Sequence, residues 1–183
     1  DPFSSLDSLS MPDELLGADL SGIKMAFSSD LGCAPVDNDI KSTFFKKIET
    51  FKNNFLTADQ EEPDFLDIHS CFEVIRGFNY VASHKDKLDN YRDLLGPNVI
   101  DNVERGLKYS LADVSTAHVM QTKIYKNFRN FFNEYDVLIC PAASVSPYPH
   151  EQLFVDNIND EKLPTYMRWL SLSYASTMAI PCV

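Results

Sequence analysis

A helix that stops at an acidic corner and passes straight into four apolar residues leaves a chain few folds to adopt. Residues 128–142 do this. The helix ends near Glu134 and Tyr135, Asp136 makes the corner, Val137-Leu138-Ile139-Cys140 forms a short apolar strand, and Pro141 closes it. Apolar runs this short, β-branched and bounded by turn signals read as strands buried on both faces. In open α/β sheets, ligands lie in the crevice outside the carboxyl ends of such strands. Pro141, Ala142 and Ala143 then stand at the rim of a site, if there is one; spacing alone favours the plainer reading of an exit turn.

The rest of the chain fits an α/β layer. Residues 1–22 carry Asp1-Pro2, Met11-Pro12-Asp13 and Asp19-Leu20-Ser21-Gly22, a loop-rich leading segment in which Glu14-Leu15-Leu16 is at most one helical turn. Ile23 to Ser28 alternates apolar and polar residues and reads as a strand. A turn through Gly32 follows, and Asp37 is placed to cap a helix over 38–55, with Ile40, Phe44, Ile48, Phe51 and Phe55 on one face. Strand, turn and amphipathic helix in that order are the unit of an α/β architecture.

Further on, Leu56-Thr57-Ala58 is a degenerate strand, and a helix is expected over 66–82 through Ile68, Phe72, Ile75, Phe78 and Tyr80, with Gly77 weakening its second half. Residues 83–93 read as helix or loop. Pro97 opens a short helix ending near Arg105, with Gly106 just past it. Ser110 and Asp113 resemble a capping box at the head of a long helix, whose inner side carries Val114, Ala117, Gln121, Ile124, Phe128, Phe131 and Tyr135. Residues 144–163 are an irregular excursion, residues 164–176 a final helix, and Met178 to Val183 the start of another buried strand.

The chain has 183 residues, 13 of them Phe, enough for a hydrophobic core in one domain or a large piece of one. A formal charge of −11 argues against a nucleic-acid surface, which needs a Lys/Arg surplus to release counterions. No apolar run is long enough to span a membrane. Cys33, Cys71, Cys140 and Cys182 are far apart without a Cys-x-x-Cys pair, which fits small hydrophobes in a reducing, cytoplasmic compartment better than a zinc site. The chain starts at Asp1 without a Met and stops inside an apolar run, so both ends read as cut.

No catalytic machinery stands out from the residues. His69, His84, His118 and His150 form no pair at metal-ligand spacing; His150, in the loop after the apolar strand, is the best placed of them. Lys24 and Ser28 share one face of a strand, but about 3.3 Å per residue sets them too far apart for proton transfer. Ser4-Ser5 lies in the leading segment, and neither serine pair has the glycine-rich surroundings that supply an oxyanion hole. Asp37/Asp39 and Glu61/Glu62 read as a cap and solvated acid. Phosphate loops, dinucleotide fingerprints and metal-binding loops are all missing.

The wording of several segments nevertheless resembles the C-terminal part of amidase signature family hydrolases. Asp1-Pro2-Phe3-Ser4 is similar to the Asp-Pro that follows the family's catalytic core. Asp19 to Ala26 with Pro35-Val36-Asp37 resembles its strand–turn–helix unit. Leu95 to Val99, Glu104 to Leu107 and Ser110 to Asp113 resemble a helical pair, and Tyr166 to Cys182 its helix and following Gly-Leu-Pro-Ala segment. Phe131 to Pro141 is the most specific match. The resemblance runs piece by piece over essentially the whole chain.

It implies an α/β/α sandwich around a mixed sheet, and hydrolysis of a carboxylic amide by a serine that a lysine activates through a second serine, without cofactor or metal. Those three residues have no counterpart here, so the resemblance assigns no catalytic residue to this chain. Residues 1–183 are then one partial domain, the C-terminal half of an amidase-like domain, giving scaffold and pocket wall. Ala142 stands where the family has Thr and Ala179 where it has Gly, so acyl preference is not transferred. Ala142, Ala143, Tyr174 and Ser176 are the expected substrate-binding residues. The implied partner is a small-molecule amide, with neither nucleic acid nor membrane, and a homo-oligomer is open. A glutaminase subunit of a tRNA-dependent amidotransferase and a non-catalytic binding or scaffold domain are the alternatives. The glutaminase is disfavoured because its segment between the strand–helix unit and the long helix does not resemble this one.

Overall fold

The computed structural model describes Gly17 and residues 19–179. Three strands, β1 (Lys24–Phe27), β2 (Thr57–Gln60) and β3 (Val137–Ile139), form one parallel sheet in the order β2-β1-β3. Five helices accompany it: α1 (Asn38–Phe51), α2 (Ile68–Tyr91), α3 (Pro97–Gly106), α4 (Leu111–Phe131) and α5 (Ser171–Ala179). A two-residue antiparallel ribbon, β4 (Asn157–Ile158) with β5 (Glu161–Lys162), lies in the excursion between β3 and α5.

The strand alternation sorts two cores. Met25 and Phe27 face Ile48, Phe44, Phe45, Phe51 and Phe55 of the α1 segment, and Val137 and Ile139 of β3 join them. On the other face, Leu138 and Cys140 pack towards Ile68, Cys71, Ala117, Ile124, Leu172 and Ala175 from α2, α4 and α5. Successive side chains of a strand point to opposite faces, so one strand feeds both layers. Helices on both faces of a parallel sheet make this an α/β chain, as the sequence implies.

The apolar strand that sets the architecture is not the buried one. Residues 137–139 are each half-buried, whereas Met25 and Ala26 of β1 are 0% exposed. The reason is position: among the described residues β3 pairs on one side only, and β1 lies between two neighbours. Asp136 does make the corner. Its carboxylate accepts the Lys24 N–H at 2.8 Å, and its own N–H donates to the Lys24 carbonyl at 2.9 Å, setting the register of β3 on β1.

Several caps follow their sequence signals. The Asp37 side chain accepts from the Asp39 N–H at 2.8 Å at the start of α1. Ser110 and Asp113 form a full capping box, because the shorter Asp carboxylate still receives the Ser110 N–H at 2.8 Å. Pro97 opens α3.

Other boundaries move. Helix α1 ends at Phe51 and gives way to a 3-10 turn over Lys52–Asn54. Helix α2 runs unbroken through Gly77 and on to Tyr91, and it exposes Phe78 rather than burying it. The glycine that weakens this helix in isolation is needed where α2 crosses α3. A Cβ on Gly77 would lie 3.0 Å from the Gly106 Cα, and one on Gly106 would lie 2.7 Å from Val81 Cγ2. Gly106 therefore ends α3 as a packing residue instead of following it as a cap. The final helix starts later than expected, at Ser171 after a 3-10 turn over Arg168–Leu170, and it includes Met178 and Ala179 instead of yielding a strand there. Ser4-Ser5, the turn at residues 14–16, Cys182 and the remainder of the expected last strand lie outside the described residues.

Candidate functional site

The turn that leaves β1 builds one wall of a cavity of about 700 Å³. Ser28 is buried and its Oγ accepts the Leu31 N–H at 2.9 Å, while Asp30 Oδ1 accepts the Gly32 N–H at 3.1 Å. The two bonds hold Leu31 and Gly32 at φ 55° and 65°, the left-handed region that favours glycine and that Leu31 enters only because the turn is tied on both sides. Asp30 pairs with Lys41 of α1, so the carboxylate and ammonium at this wall satisfy each other.

The β4–β5 ribbon closes the opposite side. Its tip, Asn159 and Asp160, has φ 52° and 64°, as a tight two-residue hairpin requires. The Asn159 side chain clamps the ribbon to the start of α1: its Oδ1 accepts the Asn38 N–H and its Nδ2 donates to the Val36 carbonyl, each at 3.0 Å. One amide thus satisfies a free N–H of the helix terminus and a carbonyl of the cavity wall.

His69, in the first turn of α2, lies on the cavity floor. Its Nε2 is 3.0 Å from the Cys33 carbonyl, which can only accept, so Nε2 carries the proton. Nδ1 is then the acceptor for the Tyr174 hydroxyl at 2.5 Å, and the Tyr174 oxygen lies 2.9 Å from Ser171 Oγ. Burial lowers the His69 pKa, and the Arg168 guanidinium lowers it further. Burial raises Tyr174 to about 12 and Cys33 to about 11. At neutral pH this is an uncharged chain of hydrogen bonds. With both ring nitrogens engaged, His69 is not a free general base, and Cys33 is a thiol rather than a thiolate nucleophile.

Arg168 is the least satisfied group at the cavity. Its Nε is buried without a hydrogen-bond partner, and one terminal nitrogen lies 3.5 Å from Glu73 Oε1, at the outer limit of a bond.

The four residues expected to bind substrate are placed apart in character. Ala142 and Ala143 are exposed just beyond β3. Ser144, which follows them, is buried and its carbonyl accepts the Asp37 N–H at 2.8 Å, beside Val36 of the cavity wall. Tyr174 is in the core, stacked on Phe72 with ring centres 4.0 Å apart. The Ser176 hydroxyl bonds back to its own helix at the Ser173 carbonyl, 3.0 Å away. None of the four lines the large cavity.

Of the other histidines, His84 stacks on Tyr80, His118 is exposed on α4, and His150 is exposed beside Glu151. No group of His, Cys, Asp and Glu able to hold a metal ion occurs among the described residues. The sequence gives no signal for the His69 cluster, because its partners Cys33 and Tyr174 are 36 and 105 residues away.

A parallel sheet between helical layers, with a cavity beyond the central strand, makes an α/β fold. Solved structures share it. A bacterial aryl acylamidase of the amidase signature family superposes with a TM-score of 0.74 at 15% identity, over 88% of this chain and 36% of that one. A structure from work on the origins of an s-triazine catabolic enzyme through a vestigial protein complex gives 0.73 at 15% identity, over 87% and 34%. An amidase gives 0.73 at 12% identity, over 87% and 37%.

In sequence, the chain is 23% identical over 139 residues to an acylamidase of Rhodococcus erythropolis. The match covers 73% of this chain and 28% of that protein, so this chain spans well under half the length of its relative. No family model matches the chain. The resemblance to amidase signature enzymes thus holds in the fold and in a distant sequence match, and such coverage is what a C-terminal portion gives. No helix among the described residues is long and apolar enough to cross a membrane.

Proposed function

We propose that residues 1–183 are one partial domain, the C-terminal portion of an amidohydrolase that cleaves carboxylic amides with a serine outside this chain. The observation that carries the reading is the sequence match to an acylamidase over a stretch that makes up 28% of that enzyme. A serine hydroxyl needs a neighbouring base to become a nucleophile. Ser28, buried and engaged with Leu31, has no lysine beside it, since Lys24 is on the exposed end of its strand. In this reading the chain supplies scaffold and part of the pocket wall, with Ala142 and Ala143 beyond β3 facing substrate and Tyr174 and Ser176 supporting that wall from α5. The substrate is a small-molecule amide, no cofactor takes part, the compartment is the reducing cytoplasm, and assembly into homo-oligomers fits.

The test is chemical. The chain should neither hydrolyse aryl or small aliphatic amides nor take up a serine-directed fluorophosphonate, and the coding sequence ahead of Asp1 should supply a lysine followed by a Gly/Ser-rich serine pair. Stoichiometric labelling of the chain, or an upstream sequence without those residues, overturns the reading.

A further inference from the structure

We propose that the cavity beyond β1 binds a small organic monocarboxylate, with the Arg168 guanidinium as its anchor. A guanidinium presents its donors in a planar fork that matches a carboxylate in two parallel bonds. In Arg168 that fork is almost unused: Nε is buried and unpaired, and Glu73 touches one terminal nitrogen at 3.5 Å. Glu73, at the outer limit of a bond, leaves the terminal nitrogens weakly engaged, and a carboxylate in the cavity competes for them.

The rest of the lining fixes the class of ligand. Three cations, Lys41, Lys162 and Arg168, stand against two carboxylates, Asp30 and Glu161, with His69 uncharged, in a chain whose net charge is −11. Lys41 is committed to Asp30, and Glu73 stands behind Arg168. The cavity lining by itself carries one positive charge in excess, which suits one negative charge better than two, and Glu73 behind Arg168 further opposes a dianionic phosphate. Ala34, Pro35, Val36, Ile158 and Leu163 give the remainder of the wall an apolar surface for an organic body. The volume of about 700 Å³ lies within the range of small-ligand sites.

The experiment uses the 183-residue chain and titrates phenylacetate, phenylacetamide and inorganic phosphate by calorimetry and by the fluorescence of Trp169, the single tryptophan and the neighbour of Arg168 in sequence. Phenylacetate should bind at least about tenfold tighter than phenylacetamide or phosphate, because only it offers a singly charged fork acceptor on an apolar body. Arg168→Lys keeps the charge and loses the fork, and should weaken phenylacetate about tenfold or more while the amide is unchanged. Glu73→Gln removes the competing carboxylate and should tighten phenylacetate; it keeps the assay informative if the Arg168 variant misfolds by circular dichroism. Equal affinity for acid and amide, tighter binding of phosphate, an Arg168→Lys variant that binds like the parent, or no binding up to about 10 mM phenylacetate overturns the proposal.

Discussion

The crossing of α2 and α3 and the cavity beyond β1 use space in opposite ways. At the crossing, Gly77 and Gly106 bring two helix backbones together until neither position can accept a methyl group. At the cavity, a turn, a ribbon and the first turn of a helix stand apart around about 700 Å³, and polar groups do the joining: Asn159 on one side, and His69 on the floor, tied from below to Tyr174 in the core. Close packing excludes water and depends on shape. A wall joined by a few hydrogen bonds depends on each of them and on their protonation. Stability and binding should therefore respond to different substitutions in the two regions.

The sharpest way to break the comparison is at the crossing. Gly106→Ala places a Cβ against the Gly77 carbonyl and Val81, atoms of a helix that cannot move without α2. Overpacking of this kind costs about 1–3 kcal/mol, and a backbone obstacle puts this case at the upper end. Urea unfolding followed by far-ultraviolet circular dichroism should show the loss as a lower midpoint. Gly22→Ala is the control, since nothing lies within 4 Å of a Cβ there and the residue caps no helix; it should stay within about 0.5 kcal/mol. Equal midpoints for the two variants would mean that the glycine contact does not limit the approach of the helices.

The second variant addresses the cavity wall. Asn159→Ala removes the acceptor for Asn38 N–H and the donor for the Val36 carbonyl, and leaves an alanine at φ 52°. Lost cap and left-handed strain together should cost about 1–2 kcal/mol. Asn159→Gly should recover the strain part only, which separates the two causes. If the ribbon is held by its own pairing and not by the clamp, Asn159→Gly will unfold like the parent.

What could be read from the sequence divides along the same line. The α1 unit, the capping box at Ser110, the corner at Asp136 and the inner stripe of α4 are local: each needs only residues within a few turns of one another. Gly77 was legible as a weak helix position but not as half of a contact with Gly106, because propensity describes one helix and the crossing involves two. The apolar run at 137–140 showed a strand; its one-sided pairing among the described residues depends on which strands pair, which periodicity does not encode. The cavity left no trace. Cys33, His69 and Arg168 meet only after the turn following β1, the start of α2 and the turn ahead of α5 have packed, and each alone is an ordinary residue. The rule that ligands sit outside carboxyl ends of strands pointed to the rim of β3, whereas the described cavity opens beyond the neighbouring β1.

The smallest expected effect concerns protonation of the cavity floor, and it is the one that the crossing cannot imitate. His69 is neutral between the Cys33 carbonyl and the Tyr174 hydroxyl, with its pKa lowered by burial and by Arg168. An unfolded histidine titrates near about 6.5. Between that value and the lower folded one, the unfolded chain binds more protons than the folded chain, so stability falls as pH is lowered through this window and levels off below it. The carboxylates whose pKa is lowered, Asp19, Asp67 and Asp113, lose their contributions only at more acidic pH, through the bonds from Ser21, Ser70 and Ser110 that hold them ionised. Melting temperature should therefore decline modestly as pH drops from about 7 towards 5.5, and the decline should vanish in His69→Gln, which keeps a polar side chain but cannot take the proton. Following the His69 ring proton by NMR should place its midpoint below the value of about 6.5 of an unperturbed histidine. A midpoint at or above about 6.5, or the same pH slope in the glutamine variant, would show that the floor of the cavity is as insensitive to pH as the glycine crossing.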